Sequence, residues 1–515
     1  MTVYGVSALG VDPALAAASI LLVVAGATGW PRGRSGRVVL VLLCLAVILL
    51  SALPVFTVPF SHDAQILRVA FAARDASADW NHPFLSYLLN RPAALHSFDP
   101  VILRLVPFLW FAAEALLSGL VAYRLAGRLA AALTVIWMAH SVRLSMGMVD
   151  LSDWNLAGVF LSLMLLRATR GGPSSGLGRY VPAGALLILG GCFSSYMMIV
   201  PSLVMLAWEI RRSATGLQSF WHAAASAVAA AVALYFFLDV VSIGRMAPKL
   251  GFAADFLPVV SEMFLVSPPL GQGPLIPALT LGGLVLMPGS GRRSSWLFLA
   301  ATVLLGLIAV LAGLVLAAIN GGYYFGLMKG PVFIAAAAFT AAASRFPAGQ
   351  LCRTGLSRRA ASALAALVVL SVVVAGTFRT APIDEVMKAS GVEHVGGLVD
   401  ASGRGERRIL SNDQNAVILM EYHEIVEGRM DIGQILDSRR SNWVTRTVSV
   451  FGVDSIDCKS LPADFLFMFR RSGDRMKECD LFRAADCREL FADGGGGECR
   501  ESGRTFCYYD CRRKD

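Results

Sequence analysis

The 515 residues are 56% hydrophobic and only 16% charged, with a mean hydropathy of +0.62 and a formal net charge of +9. Soluble domains carry nearer a quarter charged residues, about 25%, so a solvent other than water must surround much of this chain. The basic balance does not point to nucleic acid, because the arginines fall in short loops between apolar runs, as membrane topology signals do.

Stretches such as Val38 to Leu53 and Trp296 to Ile319 hold no charged residue. In hydrocarbon each backbone polar group must be satisfied within its own segment, so such runs are read as helices. In chain order, spans are expected over 14–30, 37–57, 101–123, 127–141, 153–168, 179–193, 196–210, 219–240, 274–289, 295–318, 324–343 and 359–377. The first lacks a basic leader and is followed by PRGRSGR, so it reads as a retained helix. The expected fold is an all-α polytopic membrane protein with about 12 spans and a small C-terminal α/β domain stapled by disulfides.

Alternate loops carry Arg32, Arg34 and Arg37; Arg124 and Arg128; Arg167, Arg170 and Arg179; Arg211 and Arg212; Arg292 and Arg293; and Arg345, Arg353, Arg358 and Arg359. The positive-inside rule places that set in the cytoplasm. Residues 1–377 then form a domain in the inner membrane, with long outward loops at 58–100 and 241–273. Residues 378–515 form an extracytoplasmic domain.

Cysteine usage tests that orientation. Of nine cysteines, Cys458, Cys479, Cys487, Cys499, Cys507 and Cys511 crowd the polar tail, while Cys44, Cys192 and Cys352 lie in or between spans. An even cluster in a small Gly-rich segment reads as a disulfide framework of an oxidising compartment. Zinc is the alternative for these thiolates, although no CxxC pair is present. Within the tail, ERRILSNDQNAVILMEY reads as a strand and then a helix, and ADFLFMFRR as another strand.

Ionisable residues at membrane depth or beside it are costly and mark function by default. The first outward loop holds Asp63, then Asn81, His82 and Pro83; the next, short one holds Arg143, Asp150 and Asp153. Asp150 and Asp153 share a face if helical, and Asp153 is equally an N-cap for the following span. Late in the chain, the segment Asn320 to Pro331 carries Tyr323, Tyr324 and Lys329. The tyrosines also suit an interfacial belt, and Lys329 a side chain snorkelling to the surface. No P-loop, G-x-S-x-G or H-E-x-x-H motif occurs.

The order of Ser61-His62-Asp63-Ala64, Asn81-His82-Pro83-Phe84-Leu85, two helices and a short acidic loop resembles the GT-C membrane glycosyltransferases. The branch is that of the protein O-mannosyltransferase-like enzymes, which includes the lipid A aminoarabinose transferases. The stretch from Pro100 to Ser141 is similar to that family's arginine-punctuated pattern. Phe84 stands where the family has a second Pro, Asn81 where it has Asp, and Ala64 where it has Glu; an extra N-terminal helix precedes its usual first span.

The resemblance implies transfer of a sugar from a polyprenyl-phosphate donor to an envelope acceptor, with inversion. It implies Asp63 as base or as the residue that organises the acceptor, and Asp150, or Asp153, as second carboxylate, binding a divalent ion or the acceptor. Asn81, His82, Arg143, Tyr324 and Lys329 would contact substrate. A divalent ion on Asp63 and Asp150 is the candidate cofactor. The reading from a different class is a transporter or lipid flippase, for which intramembrane charges would line the path and inverted repeats would be expected; no repeat is evident.

Overall fold

The computed structural model describes residues 13–29, 33–57, 84–96, 99–140, 154–169, 182–195, 198–213, 217–240, 275–286, 293–317, 326–344, 357, 359–365, 367, 394, 397–398, 408–411, 463–470, 484–490 and 506–514. The chain divides into two compact units. One comprises Met1–Phe56, Trp80–Leu89 and Leu105–Thr380, the other Thr57–Asp79, Asn90–Arg104 and Ala381–Asp515.

The helices in order are α1 (Pro13–Thr28), α2 (Gly33–Thr57), α3 (Phe84–His96), α4 (Pro100–Ala126), α5 (Arg128–His140), α6 (Trp154–Ala168), α7 (Ala183–Ser194), α8 (Ile199–Ser213), α9 (Leu217–Val240), α10 (Leu275–Leu286), α11 (Arg293–Ala317) and α12 (Lys329–Ala343). Residues 359–365 are helical as well. Each expected span therefore coincides with helical residues. The addition is α3, inside the segment 58–100 that the sequence presents as a loop. Its Leu and Ala content favours a helix.

Among the described residues only Gly33–Leu53 and Val101–Ala126 are long and apolar enough to cross a membrane; eight further apolar helices are shorter. At 1.5 Å per residue the 27 residues of α4 measure about 40 Å, whereas the 13 to 15 residues of α5, α6 and α12 measure about 20 Å. A hydrocarbon core is about 30 Å thick; the described part of α5 ends at His140 and that of α6 begins at Trp154.

Where the helices face outward they are greasy. Leu42, Leu49 and Leu53 of α2, Leu105 and Leu109 of α4, Leu203 and Ile210 of α8, and Val228 and Tyr235 of α9 are exposed. Water-soluble surfaces do not present apolar side chains along helix after helix; this is a surface for lipid. Inside, α5 is buried from Ala130 to His140 and α12 from Lys329 to Ala338. Their alanines let neighbouring backbones approach closely, as small residues do between membrane helices. Helix α12 packs against both α5 and α10.

One edge of this unit is pinned by polar contacts. Arg128 donates from Nη1 to the Gly29 carbonyl at 2.7 Å, and Arg124 to Thr169 Oγ1 at 3.4 Å. Arg167 meets Glu209 Oε1 at 2.5 Å, and the Ser295 hydroxyl donates to the Ala168 carbonyl at 2.9 Å. The ends of α1, α4, α6 and α8 and the starts of α5 and α11 thus share one edge, the arginine edge, as alternation of loop arginines requires. Gly127, at φ +97°, makes the turn from α4 into α5, a conformation that other residues rarely adopt.

The second unit contains a four-stranded sheet of order β1-β2-β4-β3, with β1 (Arg408–Ser411), β2 (Asp464–Arg470), β3 (Ala485–Glu489) and β4 (Phe506–Arg513). Strand β1 is parallel to β2, while β4 is antiparallel to β2 and to β3. The first two are the strands read from the sequence; the helix expected after β1 lies outside the described residues. Phe465, Leu466 and Phe467 are all buried, so β2 is covered on both faces. Phe467 stacks on its register partner Tyr509.

Cys487 and Cys511, also in register, form a cross-strand disulfide with Cα atoms 4.1 Å apart. Cys507 is disulfide-bonded too. Those three are therefore not zinc ligands; Cys458, Cys479 and Cys499 lie outside the described residues.

Candidate functional site

Helices α5 and α6 each have one end at the arginine edge. Polar residues stand at their opposite ends and at the start of α12: His140 is the last described residue of α5, Asn155 lies at the start of α6, and Lys329 opens α12. The result is a polar layer within the apolar bundle.

Lys329 is its centre. Its side chain is 2% exposed and its ammonium lies 2.8 Å from Glu114 Oε2 of α4. It also donates to Asn155 Oδ1 at 2.9 Å and sits 6.0 Å from the centre of the Phe111 ring. An ammonium has three donors, and Glu114 and Asn155 take two. Lys329 is therefore not snorkelling; that bland reading is corrected. The fold places the first residue of α12 deep in the bundle, where a lysine must find its counter-charge inside.

Glu114 is held as tightly, at 1% exposure. Gly158 of α6 faces its carboxylate so closely that an added Cβ would overlap the carboxyl carbon and both oxygens. The glycine admits the acid where alanine would not. Among the described residues, Oε1 of Glu114 receives no hydrogen bond. One helical turn on, the Ser118 hydroxyl is 3.0 Å from that of Ser162, tying α4 to α6. On the other side of α5, His140 Nε2 is 2.7 Å from the Ser19 hydroxyl, which itself donates to the Leu15 carbonyl at 2.8 Å. Since that hydroxyl proton goes to Leu15, the imidazole is the donor to Ser19.

Asp63, Asn81, His82, Arg143, Asp150, Asp153 and Tyr324 lie outside the described residues. Two of them are close in sequence to residues of the polar layer. Asp153 precedes Asn155 by two residues, and Tyr324 precedes Lys329 by five. Among the described residues no three His, Cys, Asp or Glu come together as a metal site; the candidate ligands Asp63 and Asp150 are not among them.

The sequence reading missed Glu114 and Asn155. The signal for Glu114 was present: it is the one acidic residue in the apolar run from Pro100 to Ala126. Asn155 carried no comparable signal, since an amide at a helix start is ordinary.

Comparison with solved structures finds two crystal structures of ArnT from Cupriavidus metallidurans. The apo structure aligns over 92% of this chain and 98% of that one, at 15% identity and a TM-score of 0.45. The structure bound to undecaprenyl phosphate aligns over 93% and 98%, at 15% identity and a TM-score of 0.47. They belong to the branch that the Ser61–Leu89 motifs resemble. No family model matches the chain, and no curated protein matches it.

Proposed function

We propose that this chain is a multi-pass inner-membrane glycosyltransferase that moves a sugar from a polyprenyl-phosphate donor to an extracytoplasmic acceptor. The observation that carries the reading is Lys329. The basic residue of the segment that resembles the family's late aromatic-basic-Pro stretch is buried within the lipid-facing bundle, at the start of α12. A cation at that depth suits a lipid headgroup phosphate better than a soluble donor. The arginine edge is cytoplasmic in this reading, so the polar layer, the acidic loops and residues 378–515 face the other way.

The chemistry needs two things. A carboxylate takes the proton of the acceptor hydroxyl as that oxygen attacks the anomeric carbon. Positive charge stabilises the phosphate as its bond to that carbon breaks and polyprenyl phosphate leaves. Asp63 is assigned the base, with Asp150, or Asp153, as the second carboxylate. Asn81, His82, Arg143, Tyr324 and Lys329 are assigned to the donor. A divalent ion, if used, falls to Asp63 and Asp150, and no step is routed through it.

A buried ion pair also suits transport, and one assay separates the two. Membranes are supplied with labelled polyprenyl-phosphate sugars and sugar transfer is measured for wild type, Asp63→Asn and Asp150→Asn at matched expression. Transfer by wild type that falls about 100-fold or more in Asp63→Asn, the usual weight of a general base, supports the transferase. Absence of transfer from every donor, or full transfer in both variants, overturns it in favour of transport.

A further inference from the structure

We infer that Glu114 is a resident counter-ion that Lys329 exchanges for the phosphate of an incoming polyprenyl lipid, and that Asn155 keeps the ammonium in place during the exchange. This rests on the reading of Lys329 as a contact for lipid phosphate. Three features of the layer point to it. The pair is buried at 2% and 1% exposure, so neither charge is left to water. The carboxylate is at most half satisfied: Oε2 lies 2.8 Å from the Lys329 ammonium, and among the described residues neither oxygen receives a well-aligned hydrogen bond. A half-satisfied buried group is a costly arrangement, and it suits an acid that changes partner better than one serving only as a staple.

Asn155 supplies the third feature. Its amide oxygen accepts from Lys329 independently of Glu114, so the ammonium keeps one neutral anchor when the carboxylate yields. Glu114 is accordingly a positioning residue, which touches no reacting atom and acts through the charge of Lys329. Its carboxylate competes with the arriving phosphate for that ammonium, so neutralising it frees Lys329 and tightens anion binding by about tenfold or more.

The test is binding of a radiolabelled polyprenyl phosphate, without sugar, to the purified full chain in nanodiscs of neutral lipid. The proteins compared are wild type, Glu114→Gln, Lys329→Met and the double variant Glu114→Gln/Lys329→Met. The amide keeps the shape of Glu114 and a hydrogen-bond acceptor for Lys329. The expected result is about tenfold tighter binding by Glu114→Gln, loss of about tenfold or more in Lys329→Met, and no gain from Glu114→Gln once Lys329 is gone.

Weaker or unchanged binding by Glu114→Gln, with its melting temperature close to wild type, overturns the inference. So does equal tightening in the Lys329→Met background, because the effect would then not pass through that ammonium. Displacement of the lipid by inorganic phosphate at comparable concentration assigns the site to a free anion and overturns the lipid assignment. Since no sugar is transferred in this measurement, wild type that binds lipid phosphate but fails the transfer assay sinks the transferase reading and leaves the exchange standing.

Discussion

Among the described residues, two acid–base pairs join helices of the bundle, and they differ in where their charges can go. Arg167 and Glu209 join α6 to α8 at the arginine edge, with Arg167 18% exposed and Glu209 4%. Glu114 and Lys329 join α4 to α12 in the polar layer, at 1% and 2%. The first pair has solvent within reach of its guanidinium, so losing one partner leaves a charge that can turn outward. The second has no such exit. A buried pair owes little net stability to its own attraction, yet breaking it by halves is severe, because an unpaired charge remains in an apolar medium.

Four substitutions sharpen or break that contrast. Lys329→Met leaves the Glu114 carboxylate alone, and a loss of about 3–5 kcal/mol is expected, read as a fall in melting temperature of the purified protein. Adding Glu114→Leu to it should recover most of that loss. A double variant as unstable as the single one would show that packing around α12, not the stranded charge, is what fails.

Removing the cross-strand disulfide with Cys487→Ser/Cys511→Ser opens a loop of sequence separation 24 and should cost about 3 kcal/mol in the sheet-bearing unit. Protease sensitivity of the tail checks this, with the helical unit as internal control. Unchanged protease sensitivity of the tail would show that the bridge contributes little to the sheet.

Gly158→Ala pushes a methyl group into the Glu114 carboxyl group. Overpacking of this kind costs about 1–3 kcal/mol, and in the background of Glu114→Ala the penalty should vanish. A penalty that persists would place the clash elsewhere. The smallest effect is expected at the arginine edge: Glu209→Gln leaves the partly exposed Arg167 guanidinium, which can turn outward, and should lower stability by about 1 kcal/mol and leave lipid-phosphate binding unchanged. A loss as large as that of Lys329→Met would erase the distinction between the edge and the interior.

Much of the helical architecture is legible in the chain. Apolar runs free of charge, cut by arginine-bearing loops, place every span, because burial in lipid penalises a charge wherever it falls. The strand over Asp464–Arg470 is also legible, as DFLFMFR combines bulky aromatic and aliphatic residues between polar boundaries. Strands β3 and β4 are not. ADCRE and FCYYDCRR have mixed character, and their pairing depends on the Cys487–Cys511 bridge and on contacts with β2, which no local pattern encodes.

The candidate site divides the same way. Lys329 stands out in sequence as a lone base beside an apolar run, but its two readings, snorkelling or inward, differ only in how far α12 reaches. The sequence by itself determined the solvent of this protein, its alternation of arginine-bearing loops and the oxidised character of its tail, since each follows from composition repeated along the chain. The tertiary structure alone decided that Glu114, Asn155 and Lys329, distant in the chain, meet in one buried cluster. A charge can choose its partner only after the helices have set which ends lie at the same depth.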